Sequence, residues 1–164
     1  MKNLEQFKKL FNPLPGNCYL QVTTEVDDTT IWFDEIIKKV DGRFNLALYS
    51  EDNLTDALFA KYENLQHIKE FSLPFRASPR DYDMVMLSHI FSLHENQEMI
   101  LKLAYRALAN TANIIIIEKK DLVDTALVKE MLEACEFRVA NEIAILDDCD
   151  LIIAKKMHMW GNGL

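Results

Sequence analysis

Residues 81–120 change their hydrophobic period twice, and each period has the length of one secondary-structure element. Residues 83–87 form a short apolar run, and residues 113–118, which contain four consecutive isoleucines, form another. Between these runs, apolar side chains recur at helical spacing, at Ile100, Leu103, Ala104, Ala107 and Leu108. Continuous apolar runs are typical of strands that are buried on both faces. Two such strands around an amphipathic helix predict a parallel sheet that is covered by helices.

The rest of the chain continues this alternation of strands and helices. Further strands are predicted over residues 18–22, 45–49 and 68–73, and a closing hairpin over residues 137–146 and 150–155. Helices are predicted within residues 1–15, after a cap at Asp28 or Thr29, after a cap at Asn53, and from Asp124. The alternation predicts one α/β domain over residues 1–164, with a doubly wound sheet and right-handed crossovers.

The charge balance and the cysteines limit the class of protein. The chain has a formal net charge of −8, which argues against a nucleic-acid partner because phosphates are neutralised by Lys and Arg. It has no apolar run long enough to span a membrane and no signal peptide at its start, so we expect a cytoplasmic protein. Cys18, Cys135 and Cys149 are odd in number, which predicts reduced and mostly buried thiols.

The central segment also carries short motifs of a known family. They are Tyr82-Asp83-Met84-Val85, residues 87–94, Tyr105-Arg106-Ala107-Leu108, and a strand over residues 114–118 that ends in a carboxylate. These motifs resemble those of class I S-adenosylmethionine-dependent methyltransferases, and the resemblance extends over residues 17–156. It implies a methyltransferase-like Rossmann fold, which is an α/β fold with a mostly parallel seven-stranded sheet. The implied strand order is 3-2-1-4-5-7-6, with only strand 7 antiparallel.

The chain departs from the family pattern where glycines are expected. The loop after the first strand places Thr23 and Glu25 near the positions of the first two glycines of the family's cofactor loop. The family's glycine turn before strand 5 is Asn110-Thr111-Ala112 here, and its Gly-Phe before strand 6 is Glu136-Phe137. Because glycine permits close approach of the backbone to a ligand, these replacements predict a degenerate cofactor loop.

Acidic residues at the same loop exclude other cofactors. Glu25, Asp27 and Asp28 lie at the predicted start of a helix, where they would cap it and interact favourably with its dipole. They would also repel a pyrophosphate, which argues against NAD, FAD and nucleoside triphosphates. S-adenosylmethionine carries no phosphate and stays the cofactor candidate, although no cofactor is firmly assigned.

Ligands of open α/β sheets bind beyond the carboxyl ends of the strands, where the strand order switches. The resemblance places Glu51 near the carboxylate that binds the ribose hydroxyls, with Asp52 as the alternative register. The other interpretation is that both are loop carboxylates beside a helix cap. The predicted cofactor contacts are Thr23, Glu25, Glu51, Asp52 and Ser88.

Two histidines follow the fourth strand. Either His89 or His94 could act as a general base near neutral pH, and the alternative is that they serve packing or lie at the surface. Residues 94–98 resemble a zinc-binding helix motif only in part, because the second histidine is absent. We therefore expect no metal site.

The tail, residues 157–164, contains Met157, Met159 and Trp160, and such side chains often anchor interfaces. It could dock on a protein partner or a second copy, or Trp160 could cover the sheet edge. Two functions stay open. The missing glycines favour a non-catalytic or cofactor-impaired methyltransferase-like scaffold. The alternative is an active small methyltransferase with an atypical cofactor loop, acting on an unknown small molecule or protein.

Overall fold

The computed structural model describes residues 3–157. Within them, seven strands form one sheet in the order β3-β2-β1-β4-β5-β7-β6. Neighbouring strands are parallel except that β7 is antiparallel to β5 and β6, which confirms the predicted fold and strand order. The elements are α1 (Leu4–Lys8), β1 (Cys18–Thr23), α2 (Asp28–Lys39), β2 (Arg43–Tyr49), α3 (Asp56–Lys61), β3 (Leu65–Ile68), β4 (Tyr82–Ser88), α4 (Gln97–Ala107), β5 (Leu108–Lys119), α5 (Thr125–Ala134), β6 (Phe137–Glu142) and β7 (Cys149–Lys156).

The isoleucine run lies in β5, between β4 and β7. Ile114 and Ile116 pack on one face of the sheet, Ile115 and Ile117 pack on the other, and all four are almost fully buried. A strand with helices or loops over both faces has no polar side, so it shows no alternation of apolar and polar residues. The predicted buried strand over residues 113–118 is confirmed, although β5 begins earlier, at Leu108.

The two faces of the sheet have different covers. α4 and α5 pack on one face, while α1 and α2 pack on the other. Phe7 of α1 lies 6.1 Å from Phe33 of α2 between ring centroids, and Phe11 lies 5.0 Å from Phe33. α1 is shorter than the predicted N-terminal segment 1–15, and a helix of this length is not stable alone. Aromatic packing against α2 therefore holds it in place.

The N-cap of α2 lies one residue before Asp28, the earlier of the two predicted caps. This N-cap is Asp27, whose carboxylate accepts from the Thr30 N–H at 3.1 Å, while the Asp27 N–H donates to the Thr30 hydroxyl. This capping box, rather than Asp28 or Thr29, satisfies the free amides of the first turn. At the other end, a Cβ on Gly42 would collide with the Asn17 carbonyl oxygen, which explains why glycine occupies the position between α2 and β2.

The prediction for β3 was wrong at both ends, since the strand starts three residues earlier and ends five residues earlier than predicted. β3 spans Leu65–Ile68 rather than residues 68–73, and α3 is capped by Thr55 rather than by Asn53. The chain leaves the sheet after Ile68 because the Leu73 carbonyl accepts hydrogen bonds from side chains of β2 and of the β4–α4 loop. These bonds draw residues 71–75 across the sheet face instead of along its edge.

β6 is also shorter than predicted, since it ends at Glu142 and not at residue 146. Its pairing with β7 is interrupted by a register shift between Arg138 and Asn141. Ile145 and Leu146 then pack into the core beneath α1 rather than continuing the ladder.

Two of the turns in which the resemblance expects glycine keep a glycine-like backbone. The pairing of β5 with β4 shifts between Leu108 and Asn113, so residues 109–112 form a bulge in which Thr111 has φ 71°. Glu136, before β6, has φ 75°. Side chains rarely adopt this left-handed region, so both positions carry steric strain that glycine would relieve.

Candidate functional site

The carboxyl ends of the central strands bring residues of different elements together. Thr23 ends β1, Tyr49 ends β2 and Ser88 ends β4. Thr23 is paired with Leu48 on one side and with Ser88 on the other. The structure therefore places two predicted cofactor residues, Thr23 and Ser88, side by side at the switch in strand order.

Gln21 lies next to this pair and was missed by the sequence analysis. It is fully buried, and its amide donates to the Ser88 hydroxyl at 3.2 Å. Its side-chain oxygen has no partner among the described residues, and an unpaired buried acceptor costs about 1–3 kcal/mol. A glutamine inside an otherwise apolar strand was the signal that could have revealed this polar cluster.

The loop after β1 is closed on itself. The Thr23 side chain is fully buried, and its hydroxyl donates to the Glu25 carbonyl oxygen at 3.0 Å. Among the described residues with positive φ, none lies between 23 and 28. This loop therefore does not use the backbone conformation that glycine would permit, and the side chain of Glu25 lies exposed at its outer side.

A cluster of Tyr49, Phe71 and His94, here called the Tyr49 cluster, fills the space beyond β2. The Tyr49 ring is fully buried, and its centroid lies 5.8 Å from that of Phe71 and 5.5 Å from that of His94. The Tyr49 hydroxyl donates to the Leu73 carbonyl oxygen at 2.5 Å. Burial raises the pKa of Tyr49 well above its usual value, so the hydroxyl stays protonated and able to donate.

His94 belongs to this cluster through both ring nitrogens. Its Nε2 lies 3.0 Å from the Leu73 carbonyl oxygen, and its Nδ1 accepts from the Asn96 N–H at 2.9 Å. The tautomer that satisfies both bonds is neutral with the proton on Nε2. In this arrangement His94 has no free nitrogen for proton transfer, and it fixes the connection between β3 and β4 instead.

Glu51 and Asp52 lie outside the Tyr49 cluster. Both side chains are exposed on the turn that follows β2. The turn itself is fixed by Ser50, whose N–H donates to the Ile68 carbonyl oxygen and whose own carbonyl lies 2.9 Å from His67 Nε2. The structure therefore does not bring either carboxylate next to Thr23 or Ser88 in the way that it brings those two together.

A second feature of this edge is a cavity of about 320 Å³ beyond β4 and β5, here called the β4–β5 cavity. The Glu118 carboxylate ends the apolar run of β5, is 1% exposed, and accepts from the Ser92 hydroxyl at 2.7 Å. His89 has φ 59°, and its Nδ1 is buried without a partner among the described residues. The cavity is lined by Thr24, Glu25, His89, Ser92, Leu93, Glu118, Lys119 and Leu122.

The two histidines are thus placed differently. His89 lines the β4–β5 cavity, and its buried Nδ1 has no hydrogen-bond partner among the described residues. Glu118 lines the same cavity and could orient a hydrogen-bond donor there. This pair is the arrangement at this edge that is best suited to acid–base chemistry.

The residues present fit S-adenosylmethionine poorly. A nucleoside-containing cofactor needs an open crevice beyond the strand ends at the switch point. Here the rings of Tyr49 and Phe71 occupy the space between β2 and the 69–81 connection, and His94 fixes that connection.

Comparison with solved structures shows what this fold resembles. A methyltransferase dependent on S-adenosylmethionine from Aquifex aeolicus superposes with a TM-score of 0.72 at 18% identity, covering 93% of this chain and 89% of the other. Haemonchus contortus phosphoethanolamine N-methyltransferase 2, solved with S-adenosyl-L-methionine, gives a TM-score of 0.71 at 10% identity. This chain is covered to 96% and spans only 52% of that enzyme. A chain of the Haloferax volcanii complex that contains the Trm112 methyltransferase activator gives a TM-score of 0.70 at 11% identity, covering 95% of this chain and 90% of the other.

These matches, together with the strand order, show that the chain has the fold of class I S-adenosylmethionine-dependent methyltransferases. No family model matches the sequence, and no curated protein matches it. At such low identity the likeness shows the fold and not the activity.

Within residues 3–157, no group of three His, Cys, Asp or Glu side chains is arranged to hold a metal ion. No helix in that part of the chain is both long and apolar enough to cross a bilayer.

Proposed function

We propose that this chain is a methyltransferase-fold protein with an impaired cofactor site, and that it serves as a non-catalytic interaction scaffold. The observation that carries the proposal is the Tyr49 cluster, in which a fully buried ring packs between β2 and the 69–81 connection. Two donors, the Tyr49 hydroxyl and His94 Nε2, meet on the Leu73 carbonyl oxygen and hold the cluster closed.

The loop after β1 supports the same function. Thr23 and Glu25 carry Cβ atoms near the places where the family has glycine, and the Thr23 hydroxyl is already bonded within the loop. A ligand would meet side chains here instead of the bare backbone that glycine offers. The carboxylate expected for the ribose, Glu51 or Asp52, is exposed on the turn that follows β2.

Calorimetry with S-adenosylmethionine and S-adenosylhomocysteine tests the proposal directly. The wild-type protein should show no binding at micromolar concentrations. Micromolar binding that is lost in Glu51→Ala would overturn the scaffold and favour the enzyme. Glu63→Ala is the matched control, because Glu63 is exposed and lies before the amino end of β3, away from the crevice.

A second candidate function rests on a separate observation, the β4–β5 cavity. If the crevice opens, the cavity would offer His89 as a proton acceptor and Glu118 as an orienting carboxylate beside the β1–α2 loop. The function would then be an active small methyltransferase that acts on a small molecule or a protein. Methyl transfer from labelled S-adenosylmethionine to a cell extract, abolished by His89→Gln but retained in His67→Gln, would establish it.

A scaffold also needs a surface for its partner. We expect the tail, residues 157–164, to supply an anchor for a protein partner or a second copy, with Trp160 as the main contact. Of these residues only Met157 lies within the described part of the chain, where it is 39% exposed just after β7. The tail prediction otherwise lies outside the described residues.

A further inference from the structure

The arginines of this acidic chain are concentrated in one place. The sequence has five arginines, and two of them, Arg76 and Arg106, line a groove that lies toward the amino ends of β2 and β4. Two more contact its lining residues: Arg43 lies over the Tyr82 ring, and the Arg80 N–H donates to the Arg106 carbonyl oxygen. Arg43 begins β2, Arg76 and Arg80 lie in the connection between β3 and β4, and Arg106 is in the last turn of α4. Arg138, the fifth arginine, is in β6 at the far edge of the sheet.

The groove exists because no helix covers this part of the sheet face. The connection from β3 to β4 has no helix, and residues 74–78 pass alongside α4 and leave a cavity of about 510 Å³ between them. This volume is in the range of small-molecule sites, which are mostly apolar with a few placed polar groups. We call it the arginine groove, and its main lining residues are Asn45, Phe75, Arg76, Tyr82, Leu103 and Arg106.

The charged residues that line the arginine groove are both arginines, in a protein whose net charge is −8. Arg43 is paired with Asp81, but Arg76 and Arg80 have no carboxylate partner among the described residues. The Arg80 N–H donates to the Arg106 carbonyl oxygen at 2.8 Å, so the backbones of these two residues are in contact. Burial and the charge of Arg80 lower the pKa of Lys156, which shows that a further cation lies close by.

Local structure explains only part of this clustering. Arg106 interacts favourably with the carboxyl end of the α4 dipole, and Arg43 stacks over the Tyr82 ring at 5.6 Å. Neither effect accounts for Arg76, which is exposed on the opposite wall of the groove and whose bonds to the Gln66 side chain use only its backbone N–H and carbonyl oxygen. Cations held near one another without counter-charges repel, so their convergence points to an anion between them.

An unpaired acceptor in the groove points to a ligand independently. Asn45 donates from Nδ2 to the Tyr82 hydroxyl at 2.5 Å, while its Oδ1 is buried without a partner among the described residues. Buried amide oxygens are rarely left unpaired, and each one calls for an explanation. A ligand with an N–H or O–H group that reaches the floor of the groove would satisfy it.

We infer that the arginine groove binds a small organic anion. Its carboxylate or phosphate group lies between Arg76 and Arg106, its apolar body packs on Phe75 and Leu103, and a donor group on it reaches Asn45 Oδ1. Arginine suits both anions because its planar fork donates two parallel hydrogen bonds. The groove lies at the opposite ends of the strands from the Tyr49 cluster, so the inference does not depend on the proposed function.

Titration of the full chain with simple probes, followed by nitrogen-15 NMR, tests the inference. Phenyl phosphate and benzoate represent the two anions, inorganic phosphate lacks the apolar body, and benzyl alcohol lacks the charge. Phenyl phosphate or benzoate should shift the amide signals of Ala77, Tyr82 and Leu103, which line or border the groove. The two charged aromatic probes also distinguish a phosphate preference from a carboxylate preference.

Variants decide whether the arginines are responsible. Arg76→Gln and Arg106→Gln should each weaken binding of the better probe by about tenfold, as expected for one charge-assisted hydrogen-bonding group. Arg138→Gln is the matched control and should leave binding unchanged. Both groove arginines are exposed, so the fold should persist; if Arg106→Gln unfolds, Arg76→Gln alone carries the comparison.

Several results would overturn the inference. The first is that no probe shifts any amide signal at millimolar concentration, and the second is that the shifted signals belong only to residues outside the groove. The third is that Arg138→Gln weakens probe binding as much as the groove variants do. Inorganic phosphate that binds as tightly as phenyl phosphate would remove the role of the apolar body. A short single-stranded RNA that binds more tightly through the same arginines, with steep salt dependence, would replace the small anion by a polyanion.

Discussion

The Tyr49 cluster makes a quantitative prediction, because two donors share one acceptor. Tyr49→Phe removes only the hydroxyl and leaves the ring in the core, and the Leu73 carbonyl oxygen keeps its bond from His94 Nε2. The expected loss in the free energy of unfolding is about 1 kcal/mol, the usual net value of one hydrogen bond. For a chain of this length, that corresponds to a melting temperature lower by about 2–4 °C.

The shared acceptor gives a sharper test through a double-mutant cycle. His94→Phe also removes one donor to Leu73, and it additionally leaves the Asn96 N–H without its acceptor. The Asn96 effect occurs in both variants that carry His94→Phe, so it cancels in the cycle. In the double variant the Leu73 carbonyl loses both donors. We therefore expect the free energy of unfolding of the double variant to fall by about 1 kcal/mol more than the sum of the two single decreases.

Urea unfolding of the four proteins, followed by circular dichroism, measures the cycle. Values that add within experimental error would show that water already solvates the Leu73 carbonyl and that the cluster is not held by it. A double variant that loses less than the sum would refute the shared acceptor altogether. In either case the hydrogen bonds to Leu73 would not explain the closed Tyr49 cluster, and the expected lack of S-adenosylmethionine binding would need another structural cause.

Other features give predictions of their own. Val139 has φ 55° although it is β-branched, so Val139→Gly should raise the free energy of unfolding by about 1 kcal/mol, and Val139→Ala by less. Gly42→Ala should destabilise strongly in urea, because its Cβ would collide with the Asn17 backbone. Burial raises the pKa of the Cys149 thiol to about 11, so at pH 8 it should react with a disulfide reagent only after unfolding. Removal of residues 158–164 should abolish dimerisation or partner capture and leave the melting temperature unchanged; the opposite pattern would exclude docking.

The sequence predicted the central sheet well because its strands are buried on both faces. The four isoleucines of β5 could not belong to an exposed element, and the resemblance supplied the strand order that periodicity could not. Boundaries were wrong where tertiary hydrogen bonds override local pattern. Residues 69–73 look like a strand, yet the Leu73 carbonyl is held by Tyr49 and His94 and the chain leaves the sheet.

The candidate site was predicted less completely. Thr23 and Ser88 were expected together and are adjacent, because their positions follow from strand ends alone. Tyr49 was missed because a tyrosine at a strand end looks like an ordinary core residue. Only the folded chain shows that its ring packs against Phe71 and His94 and that its hydroxyl bonds to Leu73. The arginine groove was missed because its members come from β2, the 69–81 connection and α4, and no local pattern links them.

The position of the isoleucine strand has a consequence for how the chain folds. β5 needs β4 on one side and β7 on the other, and β7 is synthesised after β5. Until residues 149–156 have been synthesised, one edge of residues 114–117 has no partner, and such a segment has the properties of aggregation-prone sequences. Glu118, Lys119 and Lys120 follow the run directly and place charges beside it. These three residues are expected to keep the nascent chain soluble during the interval before β7 arrives.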